Sequence, residues 1–196
     1  MSVLAAVDGE TVPSKTVKVG YELAQRYDED LVVLHVMTQV TYEKFDRSSG
    51  GSDSIARHLA PDITYQSRRD VGGSGASGSE ARFTIEDGER IAAGVARDVV
   101  EETLDEVQNV SFQGRVGDPV KEVLGEAGRE APRYVVVGGR RRTPVGKAVF
   151  GSITQSVLQD ARQPVVAVPR DGIIEAGGPV LAAVDGSGRS RQVIEE

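Results

Sequence analysis

Between residues 134 and 153 the chain gathers groups suited to holding an anion. An apolar run, Tyr134-Val135-Val136-Val137, stops at Gly138-Gly139; Arg140, Arg141, Arg142 and Lys147 follow, and Gly151-Ser152-Ile153 then opens a helix-like pattern. Glycine lets the main chain come close to a ligand, and the first turn of a helix holds N–H groups without intrahelical partners. Both aim donors at negative charge. Concentrating four cations there, in a chain of formal net charge −7, points the same way. The phosphate loop of nucleoside triphosphatases, G-x-x-x-x-G-K-[ST], does not account for the segment. Around Gly146-Lys147, Arg141 stands where the first glycine is needed and Ala148 where the hydroxyl is needed. No G-x-G-x-x-G follows a strand pattern, so the dinucleotide fingerprint is missing as well. Without cysteine, and with His35 and His58 far apart, the chain offers no spacing for a metal held by protein side chains.

These groups need a scaffold, and the apolar periodicity supplies one. Residues 3–7 are almost continuously apolar, as suits a strand buried on both faces, and Asp8-Gly9 ends the run. Pro13 fits the first position of a helix that carries Val17, Tyr21 and Ala24 on one side, and residues 31–37 form the next buried strand. Ile91, Val95, Val99, Leu104 and Val107 recur at approximately helical spacing. Residues 110–116, 133–137 and 165–168 read as strands, and 119–129 and 152–161 as helices. Such alternation predicts an α/β fold: a doubly wound, five-stranded parallel sheet with helices on both faces.

Two segments interrupt the alternation. Residues 38–80 break every period and include Gly72-Gly73-Ser74-Gly75-Ala76-Ser77-Gly78-Ser79, a linker composition. A long flexible insertion is expected there, with a short helix over residues 55–59; a lid over the ligand is the functional alternative. The domain is expected to span residues 1–170, followed by a linker over 171–179. Val180-Leu181-Ala182-Ala183-Val184-Asp185-Gly186 then repeats residues 3–9 letter for letter. It reads as the first strand of a second copy, with 180–196 as the orphan start of a truncated tandem. Addition of this strand to a sheet edge or a neighbouring chain is the alternative.

Composition limits the partners. Asp and Glu total 30, and arginine outnumbers lysine 18 to 5, a balance that resembles proteins of salt-adapted archaea as well as ordinary acidic proteins. The overall field repels nucleic acid, whose binding draws on clustered cations, so no nucleic-acid partner is expected. The sequence has neither an apolar run of the ~18 residues that span a membrane nor a secretory leader pattern; the expectation is a cytoplasmic protein with no membrane partner.

The glycine segment resembles the ATP-binding branch of the universal stress protein family, whose signature is G-x2-G-x9-G-[ST]. Gly138, Gly151 and Ser152 match it, while Arg141 replaces the second glycine. Residues 3–9, Leu34-His35-Val36, Val116-Gly117-Asp118-Pro119 and Gln163-Pro164-Val165-Val166-Ala167-Val168 extend the resemblance, in the family's order, over most of residues 2–170. The resemblance implies strand order 3-2-1-4-5, an adenine nucleotide alpha hydrolase-like fold and a homodimer through the fifth strand. It also implies an adenine nucleotide as ligand, ATP with Mg²⁺ foremost. Asp8 would lie on the ribose and adenine side, Val36 at the adenine wall, Gly138, Gly139, Arg140 and Arg141 along the phosphates, and Gly151, Ser152 and Ile153 would donate from the helix start. Plainer accounts stay open: Asp8-Gly9 as a turn, Val36 as core, Ser152 as an N-cap worth ~1 kcal/mol, and the arginines as a solvated loop tip. Arg141 could block the pocket or replace a main-chain donor with a bidentate guanidinium contact. The loop provides cations, glycines and hydroxyls rather than a base near the attacked phosphorus. Nucleotide-responsive binding is therefore expected rather than catalysis, slow hydrolysis being compatible with it; a nucleotide-free dimeric interaction module is the alternative.

Overall fold

The computed structural model describes residues 1–9, 14–48, 83–139 and 151–169. Within them the order is β1 (Ser2–Val7), α1 (Lys15–Tyr27), β2 (Asp30–Thr38), α2 (Gln39–Ser48), α3 (Ile85–Glu101), β3 (Val110–Gly117), α4 (Pro119–Glu130), β4 (Tyr134–Gly139), α5 (Ser152–Asp160) and β5 (Val165–Pro169). The five strands pair in parallel in the order β3-β2-β1-β4-β5. The fold class and the strand order both agree with expectation.

Alternation along the strands divides the core between the two faces of the sheet. Val3, Ala5 and Val33 pack with Val17 of α1 and Val99 of α3 on one face. Leu4, Leu34 and Val135 pack with Val123 of α4 and Val157 of α5 on the other. Because both faces of β1 are covered, its sequence has no polar alternation. Gly114 of β3 admits an unusually close crossing by α3, for a Cβ built there would lie 1.8 Å from the Glu89 carbonyl oxygen.

Three local expectations are corrected. Residues 39–48, assigned to a flexible insertion, form α2: Phe45 is buried, and the Phe83 ring lies 5.3 Å from that of Tyr42 and 5.8 Å from that of Phe45. An aromatic pair at i, i+3 decides the conformation once Phe83, distant in sequence, covers it. The helix expected to run on to Val107 ends at Glu101. The Thr103 hydroxyl donates to the Val99 carbonyl and accepts from the Ser14 amide, turning the chain so that Leu104 returns to the core and Val107 is exposed. Helix α1 starts at Lys15 rather than Pro13, with Ser14 as its N-cap. The remainder of the expected insertion, the short helix over 55–59, the linker and the repeat at 180–186 lie outside the described residues, as does Pro13.

Candidate functional site

Strand order reverses between β1 and β4. The helix after β1 packs on one face of the sheet and the helix after β4 on the other, so a crevice opens beyond the carboxyl ends of these strands. A cleft of about 480 Å³ occupies that place, within the ~300–1,000 Å³ typical of small-molecule sites. Six of the nine expected residues line it: Asp8, Val36, Gly138, Gly151, Ser152 and Ile153. Gly139 ends β4. Arg140 and Arg141 lie outside the described residues, so the guanidinium question at position 141 is an expectation about the adjoining segment.

The start of α5 is distinctive. Ser14 caps α1, Thr84 caps α3 and Asp118 caps α4, each side chain accepting a first-turn amide; the Thr38 hydroxyl accepts the Thr41 amide at 3.3 Å at the start of α2. Helix α5 has extended Gly151 as its N-cap and no side-chain acceptor. Ser152 is thus the first helical residue, and its plainer account as an N-cap is corrected. Among the described residues no hydroxyl or carboxylate caps α5, and its first residues, Gly151 to Thr154, line the cleft at the positive end of the helix dipole.

Two threonines adjoin Gly138 between helix starts. The Thr154 hydroxyl, on a buried side chain, donates to the Gly138 carbonyl at 2.5 Å, fastening the first turn of α5 to the end of β4. On the α1 side a Cβ at Gly138 would stand 3.0 Å from Thr16 Oγ1. Glycine here answers a close approach by Thr16, which explains its presence without any special backbone angle.

At the end of β1, Gly9 adopts φ +75°, a conformation that side chains disfavour, and the turn leaves Asp8 exposed at the cleft wall. The chain thus bends at Gly9, next to Asp8 at the cleft wall. Below it, His35 Nδ1 lies 3.0 Å from the Val7 carbonyl; a carbonyl only accepts, so Nδ1 carries the proton. Burial pushes the imidazole below its ordinary pKa, opposed by the bond to Val7 and the charge of Asp8. Val36 is half-buried against the α4 and α5 face and also lines the cleft, so core and wall are one position.

Sequence reasoning missed Ser14, Lys15, Thr16, His35 and Thr154 as lining residues. A signal existed for the first three: in a doubly wound sheet the start of the first helix must adjoin the crevice, and Ser14-Lys15-Thr16 is polar and cationic there. Among the described residues Lys15 is the cation that lines the cleft. His35 read as part of a strand, and nothing local distinguished it.

No curated protein matches the chain. Solved structures that are similar include a universal stress protein from Archaeoglobus fulgidus, 18% identical, with 86% of this chain and 98% of that one covered and a TM-score of 0.45. Universal stress protein UspA from Lactobacillus plantarum is 15% identical, with 86% and 97% covered and a TM-score of 0.45. A universal stress protein in complex with cAMP is 14% identical, with 86% and 96% covered and a TM-score of 0.47. The universal stress protein family model matches residues 1–169, from the first residue through the last strand of the sheet, and the chain belongs to that family.

Proposed function

We propose that this universal stress protein binds an adenine nucleotide, ATP foremost, in the cleft between β1 and β4 and acts as a nucleotide-responsive regulatory protein. The observation that carries the proposal is the α5 start: among the described residues no side chain caps it, and its first residues line a cleft at the point where strand order reverses. Phosphate would serve as that missing cap. Gly138 and Gly139 would let the β4 exit follow the phosphates, with Arg140 and Arg141 in the adjoining segment as charge partners. Asp8 would accept from ribose hydroxyls and Val36 would meet the base. A Mg²⁺ accompanying ATP would be held chiefly by phosphate oxygens and water.

The test is a melting series with ATP, ADP, AMP and cAMP on the full chain, repeated with Gly151→Val and Arg140→Glu. At a ligand concentration of 100 Kd, binding adds about 2.7 kcal/mol, or roughly 5–10 °C in Tm for a domain of this size. Both variants are expected to lose most of the shift with ATP. No shift with any nucleotide, or an equal shift in Gly151→Val, refutes the proposal.

A second reading, a nucleotide-free dimeric module, is favoured by β5, which pairs only with β4 among the described residues and keeps Val165 and Val166 partly exposed. Pairing between copies would cover that edge. Light scattering with and without ATP separates the two: a dimer with no response to nucleotide supports the module alone.

A further inference from the structure

We propose that His35 is a positioning residue for the cleft, holding the turn that presents Asp8 to the ligand. The inference rests on the nucleotide reading and concerns how one of its contacts is made.

Three contacts converge on the end of β1. The Nδ1–H of His35 donates to the Val7 carbonyl at 3.0 Å, tying β2 to the residue before Asp8. On the other side of Asp8, Gly9 sits over the ring: a Cβ built at Gly9 would be 3.0 Å from His35 Cε1 and 2.8 Å from Val95 Cγ1. Imidazole and Val95 of α3 therefore form the floor on which the left-handed turn rests, and His35 itself lines the cleft. Asp8 lies between the two anchored residues, at the mouth. An aliphatic side chain at 35 could fill the floor, yet it could not tether the carbonyl that precedes the carboxylate.

The groups around the ring leave its role to geometry. Asp8 stands beyond β1 and Lys15 in the first turn of α1. Above the sheet α3 offers Val95, and its Ala92 and Ala93 lie over Gly114, the β3 partner of His35. Glu89 of the same helix is engaged by Arg115 at 3.9 Å. The Val7 tether needs only Nδ1–H, which the Nδ1-protonated neutral tautomer and the imidazolium both carry.

A double-mutant cycle on ATP binding by the full chain tests this. Asparagine places an amide donor near the position of Nδ1, whereas glutamine extends it toward the position of Nε2. His35→Asn is expected to keep the affinity within about twofold, and His35→Gln to lose about fivefold to tenfold, the scale of one net hydrogen bond. In an Asp8→Asn background that loss should vanish, because the two residues act through one contact. Should His35→Gln fail to fold, His35→Leu, which fills the floor without a donor, supplies the comparison with His35→Asn. Equal effects of Asn and Gln, or a Gln loss that persists without the Asp8 carboxylate, overturn the inference and leave nucleotide binding intact. An Asp8→Asn variant that binds ATP as the parent does overturns it equally. Absence of ATP binding by the parent protein overturns the functional reading itself, and this is seen before any variant is made.

Discussion

Gly114→Ala should be the most damaging single methyl addition among the described glycines. Its Cβ would stand 1.8 Å from the Glu89 carbonyl oxygen, 2.5 Å from the Ala93 amide nitrogen and 2.9 Å from the Ala92 Cβ. The first two obstacles are helix backbone, which cannot swing aside as a side-chain tip does. Helix α3 must instead lift by roughly 1.5 Å to reach ordinary van der Waals distance. Such a shift draws Ala92, Ala96, Val99 and Val100, all buried, away from the sheet. Overpacking that side chains can absorb costs about 1–3 kcal/mol, so displacement of a whole helix is expected to cost about 3 kcal/mol or more. Gly128→Ala provides the opposite sign from the same chemistry. Gly128 lies in α4 with nothing within 4 Å of a built Cβ, so the change should stabilise by about 0.5–1 kcal/mol through helix propensity alone. Urea unfolding of both variants measures the difference, with the m-value checking that the unfolding transition is comparable. A Gly114→Ala protein within about 1 kcal/mol of the parent would refute the close crossing of α3 over β3.

Two further outcomes follow from the site. Thr154→Val should destabilise by about 1–2 kcal/mol, because it leaves the Gly138 carbonyl without its hydroxyl donor, whereas Thr154→Ser should recover most of the loss in the same urea titration. Since burial depresses the pKa of His35, the unfolded chain takes up the proton first as pH falls. Its contribution to stability is thus complete above the ordinary histidine value of about 6.5 and declines as pH falls from there to the folded value, below which it is flat. Urea midpoints between about pH 5 and 7.5 should show a decline that is smaller in His35→Asn; equal slopes in the two proteins would count against a buried neutral imidazole.

The central strands β1 and β4 were legible because a strand covered on both faces is apolar at nearly every position, a pattern visible over residues 3–7 and 134–137, whereas edge strand β3 showed as alternation of Val110, Phe112 and Val116 with polar residues. The α5 start was legible because Gly151-Ser152 follows a break and precedes apolar periodicity. Helix α2 was hidden: its stability depends on Phe83, which becomes its neighbour only on folding. The end of α3 was hidden for a related reason, since Thr103 meets Ser14 across 89 residues of chain.

For the site, sequence alone determined which residue types were present and that glycines and a helix start would adjoin the end of a strand. It also determined the fold class, because hydrophobic periodicity follows from burial. Tertiary structure decided that Asp8, Val36 and Gly138, at the ends of three different strands, converge on one cleft with the α5 start. It also decided that the Thr154 hydroxyl meets the Gly138 carbonyl, with Thr16 close beside Gly138, and that His35 lies under the bend at Gly9. Those are relations between segments far apart in the chain, set by strand order and helix crossing, and no local pattern encodes them.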